Sequence, residues 1–124
     1  MAVLIQTVDG VVVNRFDVDV SGLKIGRTEG NQVRIDDSAV SSSHAEILVA
    51  KDSTGRDVFV IHDRDSTNGT FVNDRKVDSQ ALNHQDVIRV GWNHFTFIDE
   101  SQQDIEKTAE IKKSWVPGVY YTKD

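Results

Sequence analysis

The first 98 residues consist of short runs rich in β-branched side chains, and each run is separated from the next by turn-forming residues. Runs of this kind are typical of β-strands. No helical periodicity lies between them, so many short strands at regular spacing predict an all-β antiparallel sandwich or barrel. Nine strands are predicted from the runs: Ala2–Val8, Val11–Val20, Leu23–Arg27, Gln32–Ile35, His44–Lys51, Asp57–Asp63, Thr70–Asn73, Asp86–Val90 and Asn93–Ile98.

Local patterning supports this interpretation. Asp9-Gly10 lies between the first two runs, and both residue types tolerate the positive φ angles of a tight hairpin turn. In the run Asp57–Asp63, Phe59 and Ile61 alternate with polar or smaller side chains, so they are expected to share one face of the sheet.

Composition limits the classes of function. The chain has 124 residues, enough for one domain, and no cysteine, which excludes disulfides and thiolate metal sites. The net charge is −6, which argues against a nucleic-acid partner. The start lacks the pattern of a secretory signal, and no run approaches the roughly 20 apolar residues of a membrane span. A cytoplasmic protein with no membrane partner is predicted.

The character of the chain changes near residue 99. We predict a β-domain over residues 1–98 and a C-terminal extension over residues 99–124, either docked on the sandwich or flexible. Ile105 and Ala109 would form a short apolar stripe on a helix, so part of this tail is predicted to be helical. The cluster Trp115–Tyr121 either packs on the domain or serves as an interaction segment.

Three polar loops at predicted strand ends carry the functional signal. They are Gly26–Asn31, Asp36–His44 and Asp65–Thr70. Loops cluster at the two ends of a sandwich, so these three are expected to meet on one surface. One guanidinium, several hydroxyls, an amide and glycine turns suit an oxyanion receptor, because each supplies donors to a phosphate.

The residues do not favour catalysis. His44, His62, His84 and His94 have no spacing typical of a metal site, and the sequence shows no nucleophile elbow. We therefore predict a binding protein without enzymatic activity, metal or cofactor.

Three segments in order resemble the forkhead-associated (FHA) domain family. They are Gly26-Arg27, then Val40-Ser41-Ser42-Ser43-His44-Ala45-Glu46-Ile47, then Asp65-Ser66-Thr67-Asn68-Gly69-Thr70-Phe71-Val72-Asn73. The late strand Asp86–Gly91 is similar as well, and the resemblance covers roughly residues 3–98. It implies an eleven-stranded sandwich of the FHA/SMAD-like type whose end loops bind phosphothreonine peptides.

The resemblance also implies roles for individual residues. The candidate phosphopeptide-binding residues are Arg27, Ser41, Ser42, Thr67 and Asn68. Arg27 and Ser41 would contact the phosphate, Thr67 would face the peptide, and Asn68 would hold the peptide backbone. The candidate supporting residues are Gly26 in the turn before Arg27, His44 between the loops, and Gly69 in the tight turn after Asn68.

Ser42 departs from the pattern, because the family commonly has Arg or Asn at this position. Lys24, Arg34 or Arg64 are candidates to compensate for the missing charge. The predicted function is a phosphothreonine-binding interaction module in Ser/Thr kinase signalling, with a kinase or its substrate as partner. The alternative is an FHA-like scaffold for phosphorylation-independent assembly.

Two questions stay open at this point. The protein is either a monomer or a weak homo-oligomer. Thr108 in the tail, if it were phosphorylated, would be a tethered ligand for the loops.

Overall fold

The computed structural model describes residues 2–100, which fold into a sandwich of two β-sheets. The strands are β1 (Ala2–Val8), β2 (Val11–Val18), β3 (Leu23–Gly26), β4 (Val33–Arg34), β5 (Ala45–Lys51), β6 (Asp57–Asp63), β7 (Thr70–Val72), β8 (Arg75–Val77), β9 (Ser79–Ala81), β10 (Val87–Val90) and β11 (Asn93–Asp99). One sheet has the order β2-β1-β11-β10-β7-β8 and the other the order β4-β3-β5-β6-β9. The predicted sandwich of about eleven strands is confirmed.

The predictions for the C-terminal extension concern residues that the structure does not describe. Residues 101–124 lie outside the described residues, so the predicted helix, the Trp115–Tyr121 cluster and Thr108 stay predictions. Within residues 2–100, no helix has the length and apolarity needed to cross a bilayer.

Nine of the strands match the nine runs predicted from the sequence, with ends that differ by at most two residues. The strands β8 and β9 were not among the predicted runs. Each has three residues, and each lies at the outer edge of its sheet. Short edge strands bury no full apolar face, so they can carry polar side chains such as Lys76 and Gln80. The apolar alternation that predicts a strand is therefore absent from these two segments.

One strand pairing is not antiparallel. β3 and β4 are parallel, with Ile25 opposite Val33 and Gly26 opposite Arg34, so the five-stranded sheet is mixed. The loop between them folds back along β3, because the Gln32 side-chain oxygen accepts a hydrogen bond from the Lys24 N–H at 2.8 Å. A side chain thus replaces the backbone partner that a hairpin would have supplied.

The core lies between the two sheets and fixes how they stack. Phe59 on β6 and Phe97 on β11 come from different sheets, and their rings lie 5.3 Å apart between centroids. Phe59 and Ile61 are both buried, as the alternation in β6 predicted. At the β1–β2 turn, Asp9 and Gly10 have φ angles of 52° and 79°, which confirms the predicted hairpin.

The connections divide between two ends of the sandwich. Residues 27–32, 35–44, 64–69 and 91–92 connect strands at one end, which we name the loop end. The opposite end, where Ala2 on β1 pairs with Asp99 on β11, is named the far end.

Candidate functional site

The three polar loops meet at the loop end and enclose a cleft of about 310 Å³. All five candidate binding residues line this cleft, together with three residues of the β4–β5 loop. The lining residues are Arg27, Ser38, Ala39, Val40, Ser41, Ser42, Thr67 and Asn68. The expected convergence of the loops on one surface is therefore what the structure has.

Arg27 brings a positive charge to the cleft. It follows the last residue of β3, and its backbone N–H donates to the Ser41 carbonyl at 3.0 Å. Its guanidinium is exposed, and Nη2 lies 3.4 Å from the Ser42 hydroxyl, to which it donates. Within residues 2–100 the guanidinium has no carboxylate ion-pair partner. Its charge is available for an anion.

Ser41 adds a hydroxyl group to the lining of the same cleft. Its Oγ accepts a hydrogen bond from the backbone N–H of Thr67 at 3.0 Å. Because this bond uses only an acceptor site of the hydroxyl, the O–H remains free to donate. The bond also joins the β4–β5 loop to the β6–β7 loop at the floor of the cleft.

His44 ties the same two loops together from inside the protein. The side chain is completely buried. Its Nδ1 accepts from the Ser41 N–H at 3.0 Å, and its Nε2 lies 2.9 Å from the Gly69 carbonyl. Because Nδ1 is an acceptor, the ring proton is on Nε2, which donates to Gly69. The imidazole thus sets the spacing between the two loops.

Gly26 is needed for space rather than for a turn. A Cβ at this position would lie 2.2 Å from the Ser42 carbonyl oxygen, which is too close for any side chain. That carbonyl accepts hydrogen bonds from the Thr28 hydroxyl at 3.1 Å and the Asn31 amide at 3.0 Å. These two loop residues hold the Ser42 backbone directly against β3.

Asn68 and Gly69 complete the cleft on the β6–β7 side. The Asn68 amide nitrogen donates to the Ala39 carbonyl at 2.9 Å, which orients the side chain. Its Oδ1 has no hydrogen-bond donor among the residues described, so it can accept one from a ligand. Gly69 has a φ of 87°, the left-handed turn expected after Asn68.

The carboxylate of Asp63, the last residue of β6, holds the β6–β7 loop through hydrogen bonds. The Asp63 side chain accepts from the Ser66 hydroxyl, the Ser66 N–H at 3.1 Å and the Thr70 hydroxyl at 2.7 Å. Burial raises the pKa of the Asp63 carboxyl, but these hydrogen bonds outweigh burial and leave the pKa below its ordinary value of 3.8. The ionised form is therefore the one that holds the loop.

The lowered pKa of Asp63 predicts a pH-dependent stability. A carboxyl with a depressed folded-state pKa contributes stability that is present above its unfolded pKa and is lost as pH falls through the folded value. We expect Asp63→Asn to be less stable than the wild type near neutral pH and to lose less stability below about pH 4. Urea unfolding over a pH series measures this. Asp9→Asn, in an exposed turn, is the control, and parallel profiles for wild type and Asp63→Asn would contradict the prediction.

Comparison with known proteins identifies the family. The model of the FHA domain matches residues 23–91 of the chain. This match spans β3 to the turn after β10 and contains every candidate site residue. The chain belongs to the FHA domain family.

Relatives and solved structures of FHA domains agree with this assignment. The glycogen accumulation regulator GarA of Mycobacterium tuberculosis is 31% identical over 90 residues, which are 73% of this chain and 52% of GarA. The chain spans about half the length of this curated relative. An FHA domain from a study of phosphothreonine-dependent interactions has 32% identity and a TM-score of 0.67, covering 79% of this chain and 95% of that one. The FhaA FHA domain, complexed with the intracellular domain of Rv3910, has 32% identity and a TM-score of 0.66, covering 78% and 99%.

Some parts of this FHA site were not found in the sequence. Thr28, Asn31, Asp63 and Ser66 hold the loops but were not among the candidates. The signal that could have found two of them is the spacing of Asp63 and Ser66, because an aspartate commonly bonds to groups a few residues onward in a turn.

The three candidates to replace the charge missing at Ser42 do not line the cleft. Arg34 donates to the Arg27 carbonyl at 3.3 Å, and Arg64 forms an ion pair with Glu46. Lys24 is exposed on β3. Arg27 is thus the cation of the cleft lining.

Proposed function

We propose that this FHA domain binds phosphothreonine peptides and acts as an interaction module in signalling by Ser/Thr kinases. The observation that carries the proposal is the exposed guanidinium of Arg27 facing a cleft that also contains the free hydroxyl donor of Ser41. A phosphate carries about −1.5 to −2 charges at neutral pH and three acceptor oxygens, which matches these donors.

Each candidate residue has a place in this proposal. Arg27 and Ser41 would bind phosphate oxygens, and the Ser42 and Thr67 hydroxyls lie on the same cleft and can add single donors. Asn68 would accept a hydrogen bond from the peptide backbone through Oδ1. Gly26, His44 and Gly69 would keep the loops in the positions that these contacts need.

Preference for threonine over serine needs contact with the γ-methyl group. Ala39, a half-buried apolar residue of the cleft lining, can supply it. A single methyl group in such contact is worth about 1–3 kcal/mol of discrimination. Relatives support the preference, since one solved neighbour comes from work on phosphothreonine-dependent FHA domain interactions.

Ser42 favours the second candidate function, phosphorylation-independent assembly. Its hydroxyl accepts from Arg27 and brings no charge of its own, so the cleft has one cation where a second would strengthen phosphate binding. A charge-assisted hydrogen bond contributes about 1.5–3 kcal/mol, so its absence weakens the phosphate site without removing it.

Titration of matched peptides tests the proposal. We expect a phosphothreonine peptide to bind more tightly than its phosphoserine version, and the unphosphorylated version to bind least. Isothermal titration calorimetry with a phosphothreonine peptide library and its two matched counterparts gives all three affinities. Equal binding of the three forms would instead favour phosphorylation-independent assembly.

Partners and location follow from the same proposal. The partner would be a phosphothreonine-containing protein, either a Ser/Thr kinase or its substrate, and the domain would meet it in the cytoplasm. We propose binding without catalysis, as the relatives matched here include a regulator rather than an enzyme. Oligomeric state, monomer or weak homo-oligomer, stays a prediction.

A further inference from the structure

A second cleft adjoins the phosphate cleft at the loop end. It has a volume of about 250 Å³ and shares Ala39 and Asn68 with the first cleft. Its other lining residues are Phe71, Arg89, Gly91 and Trp92. A ligand held at Asn68 therefore reaches this second cleft without leaving the surface of the protein.

Arg89 is the charged residue of the second cleft. Its guanidinium lies 4.0 Å from the centre of the Phe71 ring, stacked over the face. The side chain is half-buried, and within residues 2–100 it has no carboxylate ion-pair partner. The aromatic contact fixes the plane of the guanidinium in advance, so little freedom is lost when it binds an anion.

Trp92 is the second aromatic residue in the lining of this cleft. It lies in the turn between β10 and β11 and is 81% exposed, so its indole packs little against the core. Gly91 before it has a φ of 61°, a conformation that holds the turn in place beside Ala39. An exposed tryptophan next to a cleft is typical of residues that contact a partner.

A carboxylate near this cleft is already engaged. Asp37 lies behind Gly91, where a Cβ on the glycine would be 3.1 Å from its Oδ2. The carboxylate accepts from the Ala39 N–H at 2.9 Å and the Asn93 amide at 3.3 Å, and it is not part of the cleft lining. Within residues 2–100 it forms no ion pair with Arg89, so the guanidinium is available to a ligand in the cleft.

We infer that the second cleft binds an acidic side chain of the same ligand, so that the preferred peptide carries Asp or Glu close to its phosphothreonine. This inference rests on the proposed function. The carboxylate would pair with the Arg89 guanidinium through two N–H donors, while Trp92 covers the stem of the side chain and excludes water. Arg27 then binds the phosphate, and Arg89 binds the acidic side chain close to the phosphothreonine.

Peptide series with the wild-type protein test this directly. Short synthetic peptides with one central phosphothreonine carry Glu, Gln or Lys at one flanking position at a time, on either side. At one position we expect Glu to bind about tenfold more tightly than Gln and more tightly still than Lys. Equal affinities for Glu and Gln at every position, in peptides that still require the phosphate, would overturn the inference and leave the proposed function standing. Loss of phosphate dependence itself would instead overturn the proposed function.

A protein variant links the preference to Arg89. Arg89→Met keeps an apolar stem over Phe71 and should abolish the Glu preference, so that the Glu and Gln peptides bind this variant with affinities within about twofold of each other. Arg75→Met, at an exposed arginine on β8 outside both clefts, is the matched control and should keep the preference. If Arg89→Met still prefers Glu, another residue reads the acidic side chain and the assignment to Arg89 is wrong.

Discussion

Replacing Arg27 by alanine should reduce the affinity for a phosphothreonine peptide by about ten- to a hundredfold while leaving the melting temperature nearly unchanged. The guanidinium is the cation of the cleft lining, and loss of a charge-assisted hydrogen bond costs this much binding free energy. The fold should be spared because the side chain is exposed and has no ion-pair partner among the described residues. Calorimetric titration and thermal unfolding of the same samples measure both quantities.

Two further variants sharpen the interpretation of the Arg27 result. Arg27→Lys keeps the charge but loses the planar pair of donors, so it should bind with intermediate affinity. Arg75→Ala removes an exposed arginine of equal size at the edge of the six-stranded sheet and should bind as the wild type does. Unfolding of Arg27→Ala would show that Arg27 has a structural role. Unchanged affinity in a folded Arg27→Ala would place the phosphate site elsewhere.

The largest effect on stability is expected for His44→Ala, which should lower the free energy of unfolding by about 3–5 kcal/mol. The substitution leaves the Ser41 N–H and the Gly69 carbonyl without their partner and opens a cavity where a fully buried ring had been. Each buried group left unsatisfied costs about 1–3 kcal/mol, and the cavity adds to this. Urea unfolding at equilibrium measures the change.

His62→Ala is the matched control, because His62 is an exposed histidine on strand β6. It should change the stability by less than about 1 kcal/mol. A similarly small effect for His44→Ala would mean that water or a neighbouring side chain replaces both bonds. In that case the spacing of the two loops would not depend on the imidazole.

The parts of the fold that follow from the sequence are those with a repeated physical signal. Alternating burial in β6 is visible in Phe59 and Ile61, and the positive φ angles of Asp9 and Gly10 follow from the turn preference of these residue types. The cleft residues were predictable because the loops that contain Arg27, Ser41 and Asn68 keep the composition and order of the family.

Other parts depend on contacts between residues far apart in the sequence. The parallel pairing of β3 with β4 is accompanied by a hydrogen bond from the Lys24 N–H to the side chain of Gln32, eight residues onward. The need for glycine at position 26 arises from the Ser42 carbonyl that approaches it from another loop. The stacking of Arg89 on Phe71 joins the neighbouring strands β10 and β7, and their pairing cannot be inferred from the sequence. No local pattern encodes these contacts.

The two ends of the sandwich differ in what they contain: the clefts lie at the loop end, and the first described strand starts and the last one finishes at the far end. Strand β11 begins at Asn93, directly after Trp92 of the second cleft, and runs to Asp99, which pairs with Ala2 at the start of β1. Seven strand residues at about 3.4 Å each place that end roughly 20 Å from the clefts. Ala2 and Asp99 therefore lie on the side of the domain that faces away from the clefts. A domain immobilised through residue 2 would therefore leave both clefts open to a peptide.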